Sequence, residues 1–85
     1  MLLSVAIRQR IINLSKERDL NFSELCRKSD VSYSTLMGFM YDTNKTLTIN
    51  TLYQLCLGFE IDLVDFFDSD LFKDVLDEHE KVGKL

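Results

Sequence analysis

Two cysteines, one histidine and a run of carboxylates are the residues of this 85-residue chain whose types suit metal binding or acid–base chemistry. Their spacing supports neither. Cys26 and Cys56 stand far apart, each beside leucine on an apolar helical face, whereas a structural zinc site needs about four well-spaced ligands. Two reduced thiols acting as small hydrophobes are expected. Glu78 and Glu80 flank His79, but neighbours along a helix point apart and make no catalytic pair. No nucleophile–base pairing and no glycine-rich phosphate loop is visible. The chain is expected to be no enzyme and to take no metal, cofactor or small-molecule ligand.

Charge is the next chemistry to read. The net charge of −4 argues against a polyanionic partner, but its distribution is uneven. Residues 1–45 carry seven basic side chains (Arg8, Arg10, Lys16, Arg18, Arg27, Lys28, Lys45) against five acidic ones, a net of +2. Residues 46–85 carry three basic against nine acidic, a net of −6. A chain divided this way can turn one face to phosphates while its acidic end points away. The footprint is still sparser than that of a strongly basic nucleic-acid binder.

The elements that would position such a face are helical nearly throughout. Length allows one domain, and a hydrophobic share of 46% with 28% charged residues is ordinary for a globular protein. No stretch approaches the ~18 apolar residues of a membrane span. MLLSVAIRQR brings arginine in too early for a secretory signal, so a cytoplasmic location is expected. The first helix runs roughly from Leu3 to Arg18, with Leu3, Ile7, Ile11 and Leu14 inward and Arg8, Arg10, Lys16 and Glu17 on other faces.

Asn21 followed by Glu24 is a capping-box spacing, opening a short helix over 22–29. Asp30 falls where a left-handed residue is needed, and Ser32 caps a third helix over 33–41. Leu36 and Phe39 face inward from it. After a polar loop, Thr48 caps a fourth helix over 49–58, and Asp62 a fifth carrying Leu63, Phe66 and Phe67. Ser69 is placed to cap a sixth helix over 70–82, ended by Gly83, with Leu71, Phe72, Val75 and Leu76 as one stripe.

The pair of short helices, 22–29 and 33–41, is the informative feature. A helix of eight or nine residues is not stable alone, and its use lies in being clamped at a fixed angle to a second one. NFSELCRKSDVSYSTLMGFM followed by KTLTINTLYQLCLGFEIDLVDFF resembles the phage-repressor (Cro-like, or XRE) helix-turn-helix family, from about Arg10 through Phe67. The resemblance implies an all-α, five-helix repressor-like DNA-binding domain over 1–68, with the helix-turn-helix unit at 21–41. Residues 69–85 would then be a helical tail. It also implies a third helix that enters the major groove of double-stranded DNA, usually as a homodimer on a two-fold operator.

Carried onto this chain, the family's base-facing positions are Tyr33, Ser34, Met37 and Gly38, and its phosphate positions are Asn21, Ser32, Tyr41, Asn44 and Lys45. Ser34 can bond almost any base edge, while Met37 and the Tyr33 ring suit thymine methyls. Gly38 implies either a close approach of DNA to the backbone or tight helix packing. Phe66, Leu71, Phe72, Val75 and Leu76 are the expected dimer contact, the alternative being that the stripe covers the domain's own core. Three features depart from the family pattern. The third helix has no Lys or Arg; Phe22 stands where a phosphate-holding glutamine is usual; and Met40 replaces the glutamate that pairs with a helix-one arginine, here Arg10. The other functional class compatible with these departures is a protein–protein module, such as an antitoxin or antirepressor partner.

Overall fold

The computed structural model describes residues 1–42 and 45–76, and over these the chain is all-α. The five helices are α1 (Leu3–Glu17), α2 (Phe22–Ser29), α3 (Tyr33–Tyr41), α4 (Ile49–Phe59) and α5 (Leu63–Phe67), followed by a 3-10 turn at Asp70–Phe72. Capping side chains punctuate them where the sequence places them. Asn21 Oδ1 accepts from the Glu24 N–H at 2.8 Å while the Glu24 carboxylate accepts from the Asn21 N–H at 3.0 Å. Ser32, Thr48 and Asp62 each accept from the backbone N–H three residues on, satisfying donors that a helix start leaves free. Asp30 closes α2 in the left-handed conformation, at φ 59°.

The core gathers Ile11 and Leu14 of α1, Leu25 and Cys26 of α2, Leu36 and Phe39 of α3, Leu52, Leu55, Cys56 and Phe59 of α4, and Phe66 of α5. The most extensive helix contact is between α2 and α4. A methyl group at Gly58 would come within 2.8 Å of Ser29 Cβ, so glycine lets the two backbones meet. Both thiols are free and buried. Burial raises the pKa of each, and for Cys56 the value reaches about 11, with Asp62 adding to the rise and Arg10 opposing it.

Two arginines of α1, and Arg18 just past its end, turn onto the body of the domain. Arg8 is 9% exposed rather than on an outer face. Its Nε donates to Phe39 O at 2.7 Å, and its Nη2 to Asp42 O at 2.9 Å and Lys45 O at 3.2 Å, with the guanidinium 4.4 Å from the Phe39 ring centre. Arg10 donates to Phe66 O and Asp65 O, both at 2.8 Å, and Arg18 to Phe59 O at 2.8 Å. Each arginine therefore binds carbonyls at the end of a different helix: α3, α5 and α4. Phe39 O, Phe66 O and Phe59 O lie in the last turns of those helices, among the carbonyls a helix leaves short of partners at the negative end of its dipole. The glutamate that would have taken a helix-one arginine is absent, and main-chain oxygens serve in its place.

The helix expected over 70–82 does not form in its described part. Ser69 caps only a 3-10 turn, Asp74 takes a positive φ of 58°, and Leu76 pairs in parallel with Leu2, donating its N–H to Met1 O at 2.8 Å. Aromatic packing offers the reason. Phe72 turns onto Phe67 and Phe66, at ring-centre distances of 4.8 and 5.9 Å, a position that a continued helix need not supply. Residues 77–85, including the rest of that expected helix and His79, lie outside the described residues.

The Leu71, Phe72, Val75, Leu76 stripe is thus not one helical face. Phe66, expected at a dimer contact, is 0% exposed and belongs to the monomer's core. Phe72 is partly buried against the same core, whereas Leu76 is 58% exposed.

Candidate nucleic-acid interface

Two helix starts and one loop build the candidate surface. α2 and α3 are joined by Asp30, Val31 and Ser32 alone, and buried Val31, Leu36 and Phe39 seat that turn on the core. The opposite side of α3 is left to solvent. Tyr33 is 53% exposed and Ser34 is exposed, while Met37 is partly buried against the core and Gly38 intermediate. The four expected base-facing residues therefore share a helix but not one environment. Tyr33, Ser34 and Gly38 are open, and Met37 offers only part of its side chain.

An open groove of about 320 Å³ runs between α3 and the start of α4. Ser34, Gly38 and Lys45 line it together, with Thr46, Thr48 and Thr51 opposite. Two expected base positions and one expected phosphate position are thereby brought to one place. Of the other phosphate positions, Ser32 is exposed as the α3 cap, its hydroxyl donating to Thr35 Oγ1 at 2.7 Å, and Tyr41 is 77% exposed. Asn21 is exposed at the start of α2 and lines a separate cleft with Phe22 and Lys16. Asn44 lies outside the described residues.

Hydroxyls dominate this surface, and several were not singled out in the sequence. Thr35, Thr46 and Thr51 line the groove, and Thr48 Oγ1 meets Thr51 Oγ1 at 2.9 Å. The repeated spacing Ser32-x-x-Thr35 and Thr48-x-x-Thr51 is the signal that could have found two of them, since it sets a second hydroxyl one turn above each cap. Arg8 carried no such signal. Among the described residues no cluster of His, Cys, Asp or Glu is arranged to hold a metal ion, and no helix is long and apolar enough to cross a membrane.

A tight two-helix unit whose second helix shows its outer face to solvent is the geometry of groove-reading domains. A family model for the Cro/C1-type HTH DNA-binding domain matches residues 10–70. The chain belongs to the Cro/C1-type helix-turn-helix DNA-binding family. The match takes in α2 and α3, the groove and all of α4 and α5, so the family assignment and the exposed α3 face coincide. No curated protein and no solved structure matches the chain. A Cro/C1-type domain is a DNA-binding regulator fold rather than a catalytic one.

Proposed function

We propose that this domain is a sequence-specific transcriptional regulator, a repressor that lays α3 in the major groove and blocks a promoter. One observation carries the reading. Among the described residues, Tyr33 and Ser34 on α3 stand exposed, and a methyl group built on Gly38 beside them meets no atom within 4 Å. Tyr33, Ser34, Met37 and Gly38 are assigned to bases, and Asn21, Ser32, Tyr41, Asn44 and Lys45 to phosphates. The free N–H groups at the starts of α2 and α3 add to the phosphate set.

Action as a homodimer completes the proposal, with two α3 helices about one DNA turn, ~34 Å, apart. Phe66 is too buried to contribute. Leu76 is exposed, and so are Val64 and Phe67 of α5, which leaves apolar surface for pairing.

Titration of the domain with DNA from upstream of its own gene, at several salt concentrations, tests the reading. Few cations predict a shallow dependence, about −0.9 in the log–log slope per phosphate contact. Ser34→Ala relaxes base preference, whereas Lys45→Ala weakens binding evenly across sequences. Absence of binding to any upstream segment removes the proposal.

A second reading has a specific observation in its favour. Arg8, Arg10 and Arg18 are occupied by carbonyls, so the +2 of the first half overstates the positive charge free for phosphates. The same fold used as a protein–protein module would form its complexes normally and show no retention on heparin or DNA.

A further inference from the structure

We infer that Arg8 is a positioning residue for DNA binding, holding Lys45 in a fixed place beside α3. The inference rests on the DNA-binding reading above and adds to it a residue of α1, 37 positions from Lys45 in the sequence.

Lys45 is the only cation between Lys28 and Lys73 in the sequence. It therefore supplies whatever side-chain charge α3 and the segment after it bring to a phosphate. It sits in the stretch between the end of α3 and the Thr48 cap of α4, where no helix holds it. A lysine on irregular backbone must be ordered when it binds, at a cost in conformational entropy.

The structure removes much of that cost beforehand. One guanidinium, fixed on α1 and stacked on the Phe39 ring, binds the carbonyl of Phe39 within the last turn of α3, that of Asp42 just after it, and that of Lys45 itself. The Lys45 N–H closes the same small unit by donating to Asp42 O at 3.0 Å. The planar guanidinium spreads its donors over separate nitrogens in a fixed fork, so Nε reaches Phe39 O while Nη2 reaches Asp42 O and Lys45 O, a spread that the single ammonium of a lysine lacks. A helix-one residue serving only α3 would stop at Phe39.

The test compares the wild type with Arg8→Met, Arg8→Lys, Lys45→Ala and the Arg8→Met/Lys45→Ala double variant. Each is first shown to be folded at the assay temperature by circular dichroism. Binding to upstream DNA is then titrated across salt, and backbone order is read from 15N relaxation.

Without the fork, ordering the lysine costs as much as one exposed phosphate contact returns, so the contact is not made and Arg8→Met is expected to lower the salt slope by ~0.9, as Lys45→Ala does. Over a four-fold rise in salt this is a difference of about three- to four-fold in affinity loss. Adding Lys45→Ala to Arg8→Met is expected to change the slope no further. Arg8→Lys, which keeps the charge and loses the fork, should behave like Arg8→Met, and it carries the same measurements if Arg8→Met does not fold. In either variant the amides of Lys45 and Thr46 lose order while those of α2 and α4 keep theirs.

A folded Arg8 variant with the wild-type slope, or a double variant whose slope loss is the sum of the two singles, overturns the inference. Should the wild type bind no DNA, the regulator reading fails by that result. The relaxation data then decide separately, because unchanged order at Lys45 and Thr46 overturns the role given to Arg8.

Discussion

Replacing Gly38 by alanine separates what the fold needs from what a DNA groove needs. Gly38 lies inside α3, and no glycine of the described chain has a positive φ, so its backbone suits any L-residue. The added methyl group meets nothing within 4 Å, which removes any overpacking cost. What remains is the gain from replacing glycine in a helix interior, worth up to ~1 kcal/mol. For a domain of this size ~1 kcal/mol moves Tm by about 4–8 °C. Gly38→Ala should therefore melt ~2–8 °C higher than the wild type.

On DNA the same methyl group stands on the face assigned to the bases. A duplex approaching the bare backbone would have to draw back, and loss of a single base contact costs about 1–3 kcal/mol. A weakening of roughly ten-fold or more is expected. Thermal melts by circular dichroism and a fluorescence-anisotropy titration on upstream DNA measure the two effects on the same preparation. A lower Tm would show that Gly38 is needed by packing after all. A higher Tm with undiminished affinity would refute its place in the interface.

Two further expectations follow from the core. Gly58→Ala is the contrasting glycine variant: its methyl group would press to 2.8 Å from Ser29 Cβ and 3.2 Å from Ser29 Cα and N. Overpacking of ~1–3 kcal/mol outweighs the helix gain of up to ~1 kcal/mol, so denaturant midpoints should fall where those of Gly38→Ala rise. The Cys56 thiol, raised from 9.0 to about 11, keeps its proton longer in the folded state than in the unfolded one. Its contribution to stability is thus whole below pH ~9 and is lost as the pH climbs towards ~11. Urea titrations from about pH 8 to about pH 10.5 should show wild type losing more stability than Cys56→Ala, and parallel losses would contradict the burial argument.

Helix boundaries were legible where a capping side chain stated them. Asn21 with Glu24, Ser32, Thr48 and Asp62 are local devices, each acting within three residues, and the observed starts of α2 to α5 fall on them. Asp30 in the left-handed region was legible for the same reason. The candidate site was legible in part. Exposure of Tyr33 and Ser34 follows from the helical period once Leu36 and Phe39 are inward. The groove shared by Ser34, Gly38 and Lys45 does not, because it depends on where the segment after α3 returns.

The tail and the arginines mark the limit. Leu71, Phe72, Val75 and Leu76 have helical spacing, yet Phe72 packs on Phe66 and Phe67 and Leu76 pairs with the chain's beginning. Arg8 reads as one more polar residue on α1, since the carbonyls it binds are 31 to 37 positions away. The amino-acid order alone determined the helices α1 to α5, the caps of α2 to α5 and the outward face of α3, all of which depend on neighbours within a turn or two. Only the tertiary structure decided which arginines remain free for phosphates, why Gly58 must be small and Gly38 need not be, and where Lys45 stands. Those outcomes depend on distances between segments remote in the chain, and local periodicity carries no record of them.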